Sequence, residues 1–284
     1  MKKIGFVDYY ISEWHANNYP AWLSQANDEL GLDYELCYCW AMEEISPVDG
    51  VSTDEWCENM GVTRCATVEE LCEKCDGILI LAPSDPQTHL QLAKAVLPFG
   101  KPTYIDKTFA PDFYTAQEIF AIADKYNTPI FTSSALRYAS ELEKFESAQN
   151  ITLLGGGSNF EEYAIHLVEM AVVLFKDGFK KVKVESQDVG RICRIAFNDG
   201  KLATILFAPG LPHAINGQLA ENDYCFETVC SATFPSLLKD VLKLFEYKTI
   251  PFDSRQTLTV MSVRDALFKA QDNEGEWIEV CGEY

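Results

Sequence analysis

Two stretches of this 284-residue chain carry residues suited to proton and charge chemistry. The first is Tyr104-Ile105-Asp106-Lys107-Thr108, entered from Gly100-Lys101-Pro102. It reads as a strand that leaves a glycine turn and ends on an acid beside a cation. Successive side chains of an extended strand point to opposite faces, so Asp106 or Lys107 should look into a crevice at the strand's carboxyl end. The plainer reading is a surface charge pair. The second stretch is Glu162-Tyr163-Ala164-Ile165-His166-Leu167-Val168-Glu169. On a helix, Glu162, His166 and Glu169 share one face. A carboxylate on the same face holds an imidazole in one orientation, and an imidazole exchanges a proton near neutral pH. The plainer reading is a histidine satisfied at a domain interface.

Other polar residues stand near these in the argument. Arg137 either binds a polar substrate or bridges two domains. His213 sits in the loop Pro209-Gly210-Leu211-Pro212-His213, which could face the same chemistry. Tyr9, Tyr10 and Trp14 could stack on a ring or simply fill space. The ten cysteines default to buried thiols. Cys72 and Cys75 form a C-x-x-C on a segment opened by the capping box Thr67-Val68-Glu69-Glu70, so they read as helical. No second C-x-x-C or histidine pair stands at zinc-site spacing, and no metal is expected. Cys37 and Cys39 alternate with Leu36 and Tyr38 along a strand, which points to packing.

The elements that must position these residues come in two styles. From Lys3 to Thr132, strands and helices alternate, the signature of a doubly wound parallel sheet. Gly77-Ile78-Leu79-Ile80-Leu81-Ala82 is a continuous apolar run of the kind buried in such a sheet. Pro20 suits the first turn of a helix, so the first long helix starts there or starts near Ser12 and kinks. Thr53 is placed to cap a short helix ending at Met60. After Arg137 strands dominate, at 181–187, 191–197, 202–207 and 224–232. Asn198-Asp199-Gly200 between two alternating runs is a hairpin turn. Gly155-Gly156-Gly157 reads as a loop. Residues 1–135 are expected to form one domain and 136–284 a second, α+β domain with a mainly antiparallel open sheet.

Composition limits the partners. Apolar residues make up 48% and charged residues 23%, ordinary for a globular chain. The net charge of −20 opposes binding to nucleic acid or to an anionic membrane surface, because phosphates are repelled. No apolar run approaches a membrane span. Met1-Lys2-Lys3-Ile4-Gly5-Phe6-Val7 reads as a first strand and not a signal peptide, so a cytoplasmic location is expected.

The order of elements and several motifs together resemble the glucose-fructose oxidoreductase / inositol dehydrogenase / MocA family over essentially the whole chain. The motifs are Leu81-Ala82-Pro83 with His89, the segment Phe99 to Thr108, Arg137-Tyr138, the helix Tyr163 to Glu169, and Ala270 to Val280 with Gly275. The resemblance implies an N-terminal Rossmann domain that binds NAD or NADP. It also implies a second domain whose open sheet builds a homodimer or homotetramer. The chemistry implied is hydride transfer to or from a sugar, polyol or related hydroxy compound. Carried over by position, Lys107, His166 and Glu162 are catalytic. Asp8, Tyr10, Ile11, Trp40, Pro83, Ser84, His89 and Asp106 line the cofactor. Lys107, Arg137, Tyr163 and His166 meet the substrate. His15 and His89 steady loops at the cofactor edge.

The sequence departs from that family at the phosphate end. Where the family has Gly-x-Gly-x-x-Gly, this chain has Asp8, Tyr10 and Glu13. Carboxylates repel a pyrophosphate, and a helix start at Pro20 would withdraw the favourable amide end. Cys39, Trp40 and Ala41 stand where an acid usually holds the adenosine ribose, with Glu43 and Glu44 slightly later. The Glu-Lys-Pro segment has become Asp106-Lys107-Thr108. The chain is also short between Gln149 and Asn159. A relative that binds or regulates without a dinucleotide is the alternative.

Overall fold

The computed structural model describes residues 1–186 and 188–282. Strands and helices alternate from the N-terminus: β1 (Lys2–Asp8), α1 (Trp14–Leu30), β2 (Tyr34–Ala41), α2 (Thr53–Met60), β3 (Thr63–Arg64), α3 (Val68–Lys74), β4 (Gly77–Ile80), α4 (Pro86–Val96), β5 (Thr103–Ile105), α5 (Phe113–Tyr126) and β6 (Ile130–Phe131). The six strands pair in parallel in the order β3-β2-β1-β4-β5-β6. The order reverses between β1 and β4. In open parallel sheets, ligands bind outside the carboxyl ends of the strands at such a reversal. β4 is buried along its whole length, as its unbroken apolar run requires.

Helix α1 starts at Trp14, not at Pro20, which lies inside it. The Glu13 side chain caps the helix by accepting the backbone N–H groups of His15 and Ala16. The cap satisfies two of the amides that the first turn leaves without an intrahelical partner. Helix α2 is capped by Ser52, whose Oγ accepts the Glu55 N–H at 3.2 Å, and not by Thr53. The Thr53 hydroxyl instead donates to the Glu44 carbonyl at 3.2 Å.

The later elements are β7 (Asn150–Gly155), α6 (Phe160–Phe175), β8 (Phe179–Ser186), β9 (Arg191–Phe197), β10 (Leu202–Phe207), β11 (Ala214–Ala220), β12 (Asp223–Thr228), α7 (Thr233–Tyr247), α8 (Ser254–Asp272) and β13 (Ile278–Glu279). Seven of these strands form a second sheet, in the order β12-β11-β7-β10-β9-β8-β13. Its pairs are antiparallel except β7 with β10, which is parallel. The architecture is thus α/β, a parallel doubly wound sheet followed by a mainly antiparallel one.

The chain divides into two units. One is Met1–Ser133 together with Phe234–Phe252. The other is Ser134–Thr233 together with 253–282. Most of α7 therefore belongs with the parallel sheet, where the sequence reading drew a single cut after residue 135. Phe234 stacks on Trp22 with centroids 4.6 Å apart and planes 10° apart. Such a pair contributes about 1 kcal/mol beyond burial. Phe245 lies so close to β4 that a Cβ on Gly77 would stand 2.4 Å from its ring. Lys2 and Tyr34 both reach Glu246, and Lys239 pairs with Glu29. Among the described residues no helix is long and apolar enough to cross a membrane.

Candidate functional site

Polar side chains gather at the carboxyl ends of the parallel strands. Asp8 ends β1 and is 1% exposed. Its Oδ1 accepts the Tyr9 N–H at 2.7 Å and the Ala82 N–H at 2.9 Å, while its Oδ2 has no hydrogen-bond partner. Asp106 directly follows β5 and is also 1% exposed. Its Oδ1 accepts the Tyr104 hydroxyl at 2.9 Å and the Tyr19 hydroxyl at 3.2 Å. His15 joins the acids, with Nδ1 3.3 Å from Glu13 Oε2 and 3.5 Å from Asp106 Oδ2. Glu13, Asp106, His15, Tyr19 and Tyr104 thus form one buried network, and Asp8 lies close enough to feel the charges of Glu13 and Asp106.

The electrostatics follow from that crowding. Burial, then the charge of Glu13, pushes the Asp8 carboxyl well above its ordinary range. The Ala82 and Tyr9 amides pull the other way, and Asp106 adds to the rise. Burial and the neighbouring Asp106 and Glu13 charges likewise push the Tyr19 phenol up. A buried acid among acids is favoured in its neutral form.

The remaining positions named for a cofactor fall into three groups. Ile11 and Pro83 are buried, Tyr10 and Trp40 are half-buried, and Ser84 is exposed. His89 is fully buried, with Nδ1 3.0 Å from the Phe109 carbonyl and Nε2 2.7 Å from the Leu81 carbonyl. Burial lowers its pKa. Both ring nitrogens are thus engaged with backbone, which fixes the turn after β4. Lys107 is 7% exposed and precedes a cis peptide bond to Thr108.

The resemblance read from the sequence implies NAD or NADP, and the residues present bear on that directly. The amides at the start of α1 already hold an anion, the Glu13 carboxylate. A helix N-terminus at the sheet reversal is where a pyrophosphate is ordinarily bound. Those amides meet a phosphate only where Glu13, 7% exposed and bonded to both, is displaced from them. Asp8 is the opposing feature, softened by the burial that favours its uncharged form.

A separate cluster lies in the second unit. Asn159 caps α6, accepting the Glu162 N–H at 2.8 Å, and its amide donates back to Glu162 Oε2 at 3.3 Å. His166 Nδ1 lies 2.7 Å from Ser134 Oγ. Ser134 Oγ also accepts the Leu136 N–H at 3.1 Å, so the hydroxyl is held from two sides. The Tyr163 and His213 rings flank His166, with centroids at 5.7 Å and 6.1 Å. Burial lowers the His213 pKa and favours the neutral ring. The glycine run explains this crowding. A Cβ on Gly155 would stand 2.6 Å from the His213 ring, and one on Gly157 2.0 Å from the Tyr163 ring.

Arg137 and Glu169 form a buried pair, Nε donating to Oε1 at 2.6 Å with side chains 9% and 6% exposed. The same guanidinium donates to Gln256 Oε1 at 2.7 Å. Glu169 is thus committed to Arg137, and the hydrogen bond that orients His166 comes from Ser134. Sequence reasoning passed over Ser134, because its place in the chain gives no sign of a contact with residue 166. It also passed over Tyr19 and Tyr104 as partners of Asp106. The acid spacing from Asp8 to Glu13 was the available signal for the first cluster.

Comparison with known proteins gives the fold. No family model matches the chain, and no curated protein matches it. Solved structures do. A probable dehydrogenase from Thermotoga maritima has a TM-score of 0.80 at 13% identity, covering 98% of each chain. Myo-inositol 2-dehydrogenase from Lactobacillus plantarum has a TM-score of 0.77 at 11% identity, covering 99% of each chain. GenD2 from gentamicin A biosynthesis, solved in complex with NAD, has a TM-score of 0.77 at 12% identity, covering 99% of this chain and 97% of that one. The chain therefore has, over its whole length, the fold of inositol dehydrogenases and related Gfo/Idh/MocA-type dehydrogenases.

Proposed function

We propose that this protein is an oxidoreductase that moves a hydride between NAD or NADP and a small hydroxy compound of the sugar or polyol kind. The observation that carries the reading is the start of α1 at the reversal point of a parallel sheet in the β3-β2-β1-β4-β5-β6 order. The nicotinamide, when bound, supplies the hydride acceptor or donor. The chain's own residues do the rest. Lys107 stabilises negative charge on the reacting oxygen. His166, with Nδ1 on Ser134, takes the hydroxyl proton at Nε2. Arg137, fixed by Glu169 and Gln256, and Tyr163 orient the substrate. Glu162 tunes the same end of α6. A homodimer or homotetramer through the second sheet goes with this reading, supported by Tyr224 and Phe226 at 65% and 59% exposure on β12. So does a cytoplasmic location.

The test is reduction of NAD or NADP with a panel of polyols and sugars. Turnover with at least one, abolished by Lys107→Met while cofactor binding persists, supports the reading. Full turnover in the Lys107→Met variant removes Lys107 from the mechanism.

A second reading is a relative that binds a small ligand without a dinucleotide. One observation favours it: Glu13 occupies the α1 amides, with Asp8 buried close by.

A further inference from the structure

Two thiols that belong to neither cluster meet at 3.1 Å. Cys39 lies in β2 near its carboxyl end, and Cys57 lies in α2. Their Sγ atoms are 3.1 Å apart and share a hydrogen bond. Cys39 has no exposed surface and Cys57 is 6% exposed. The backbone around them is fixed. The Cys65 N–H donates to the Cys39 carbonyl at 2.8 Å, and the Val62 N–H donates to the Cys57 carbonyl at 3.0 Å. The Trp56 indole donates to Asn17 Oδ1 at 2.6 Å and ties α2 to α1. Nothing has to travel far for these two sulfurs to bond.

The chemistry of the pair is unequal. The hydrogen bond shared with Cys39 draws the Cys57 thiol below its ordinary range, against burial and with help from the Arg64 guanidinium. Arg64 is itself held by Glu44 at 3.0 Å and Asp54 at 2.9 Å. The same bond, then burial, pushes Cys39 up. The thiolate is the nucleophile in sulfur chemistry, so Cys57, the one with an exposed edge, is the attacking sulfur.

We propose that Cys39 and Cys57 are a redox pair that closes to an intramolecular disulfide under a small peroxide, clipping α2 to the end of β2. The Cys57 thiolate attacks one peroxide oxygen, the O–O bond breaks, and hydroxide leaves, giving a sulfenic acid. Cys39 sulfur then attacks Cys57 Sγ, the S–O bond breaks, and the oxygen departs as water with the Cys39 proton. Two thiols are oxidised, and one peroxide is reduced to two waters. The clip stiffens the strand end that carries Trp40 and Ala41. A third thiol, the buried Cys65, stands beside Cys39 and is the competing partner.

The test is peroxide treatment of the full chain, alkylation of the remaining thiols, and peptide mapping by mass spectrometry. The expected result is a Cys39–Cys57 cross-linked peptide that dithiothreitol removes. Cys39→Ala should stop at a Cys57 sulfenic acid that dimedone traps, and Cys57→Ser should lose the cross-link while exposed Cys230 and Cys281 still react. The wild-type map decides alone if either variant fails to fold. Recovery of both residues as free thiols, or a link from Cys39 to Cys65, overturns the proposal.

Discussion

The Glu13 carboxylate closes the N-terminus of α1 by taking the N–H groups of Ala16 and His15, the latter at 2.8 Å. The protein thereby places its own anion on the amides that a phosphate would otherwise use. Glu13→Ala removes the cap and should cost about 1 kcal/mol of stability. It also frees the seat and removes a repelling charge, so dinucleotide affinity should rise about tenfold or more, a change of at least about 1.4 kcal/mol. Chemical denaturation and calorimetric titration with NADH measure the two effects. Unchanged affinity would show that Glu13 does not compete for the seat.

Asp8 should make stability depend on pH. Its folded pKa is raised, so the folded protein binds a proton more tightly than the unfolded chain. That contribution is fully present below the ordinary aspartate range and is lost as pH rises through the raised value. Asp8→Asn keeps an oxygen for the Tyr9 and Ala82 amides and removes the charge. The variant should be more stable than wild type at about pH 8, with the gap shrinking towards about pH 4. Thermal melts across that range check it, and a gap independent of pH would contradict it.

The Arg137–Glu169 pair is buried at both ends, so removing one partner takes a close opposite charge from a buried group. Glu169→Leu alone should cost about 3–5 kcal/mol. The double variant Arg137→Met with Glu169→Leu should recover a large part of that loss. A double-mutant cycle by denaturant unfolding measures the coupling.

Ser134 should act through His166. Ser134→Ala removes the hydroxyl that holds Nδ1. Under the proposed reading, kcat should fall by about ten- to a hundredfold, with the acidic limb of the pH profile displaced, while KM changes little. An unchanged pH profile would assign Ser134 a structural role only.

Much of the fold was legible because its signals are strong and local. The apolar run from Gly77 and the alternation of elements to Thr132 point directly to a buried parallel sheet. Two strands of the second sheet were not legible. β7 runs into Gly155-Gly156-Gly157, and those glycines answer to the Tyr163 and His213 rings rather than to a free loop. β11 contains Gly217, a residue that weakens a strand signal, and a Cβ there would stand 2.6 Å from the Phe145 ring. Of the two starts that the sequence allows for α1, the one near Ser12 lies close to the observed Trp14, and Pro20 falls inside the helix. Of the candidate residues, the pairing of His166 with Ser134 and of Glu169 with Arg137 depends on contacts across 32 residues of chain, which helix spacing does not encode.

The central claim is that a nicotinamide dinucleotide binds this chain. Titration of the purified protein with NADH and NADPH, followed by nicotinamide fluorescence, tests it most directly. The account predicts a saturable rise with one or both, strengthened in Glu13→Ala. No change with either, at millimolar concentration and in both wild type and Glu13→Ala, would contradict it and leave the dinucleotide-free reading.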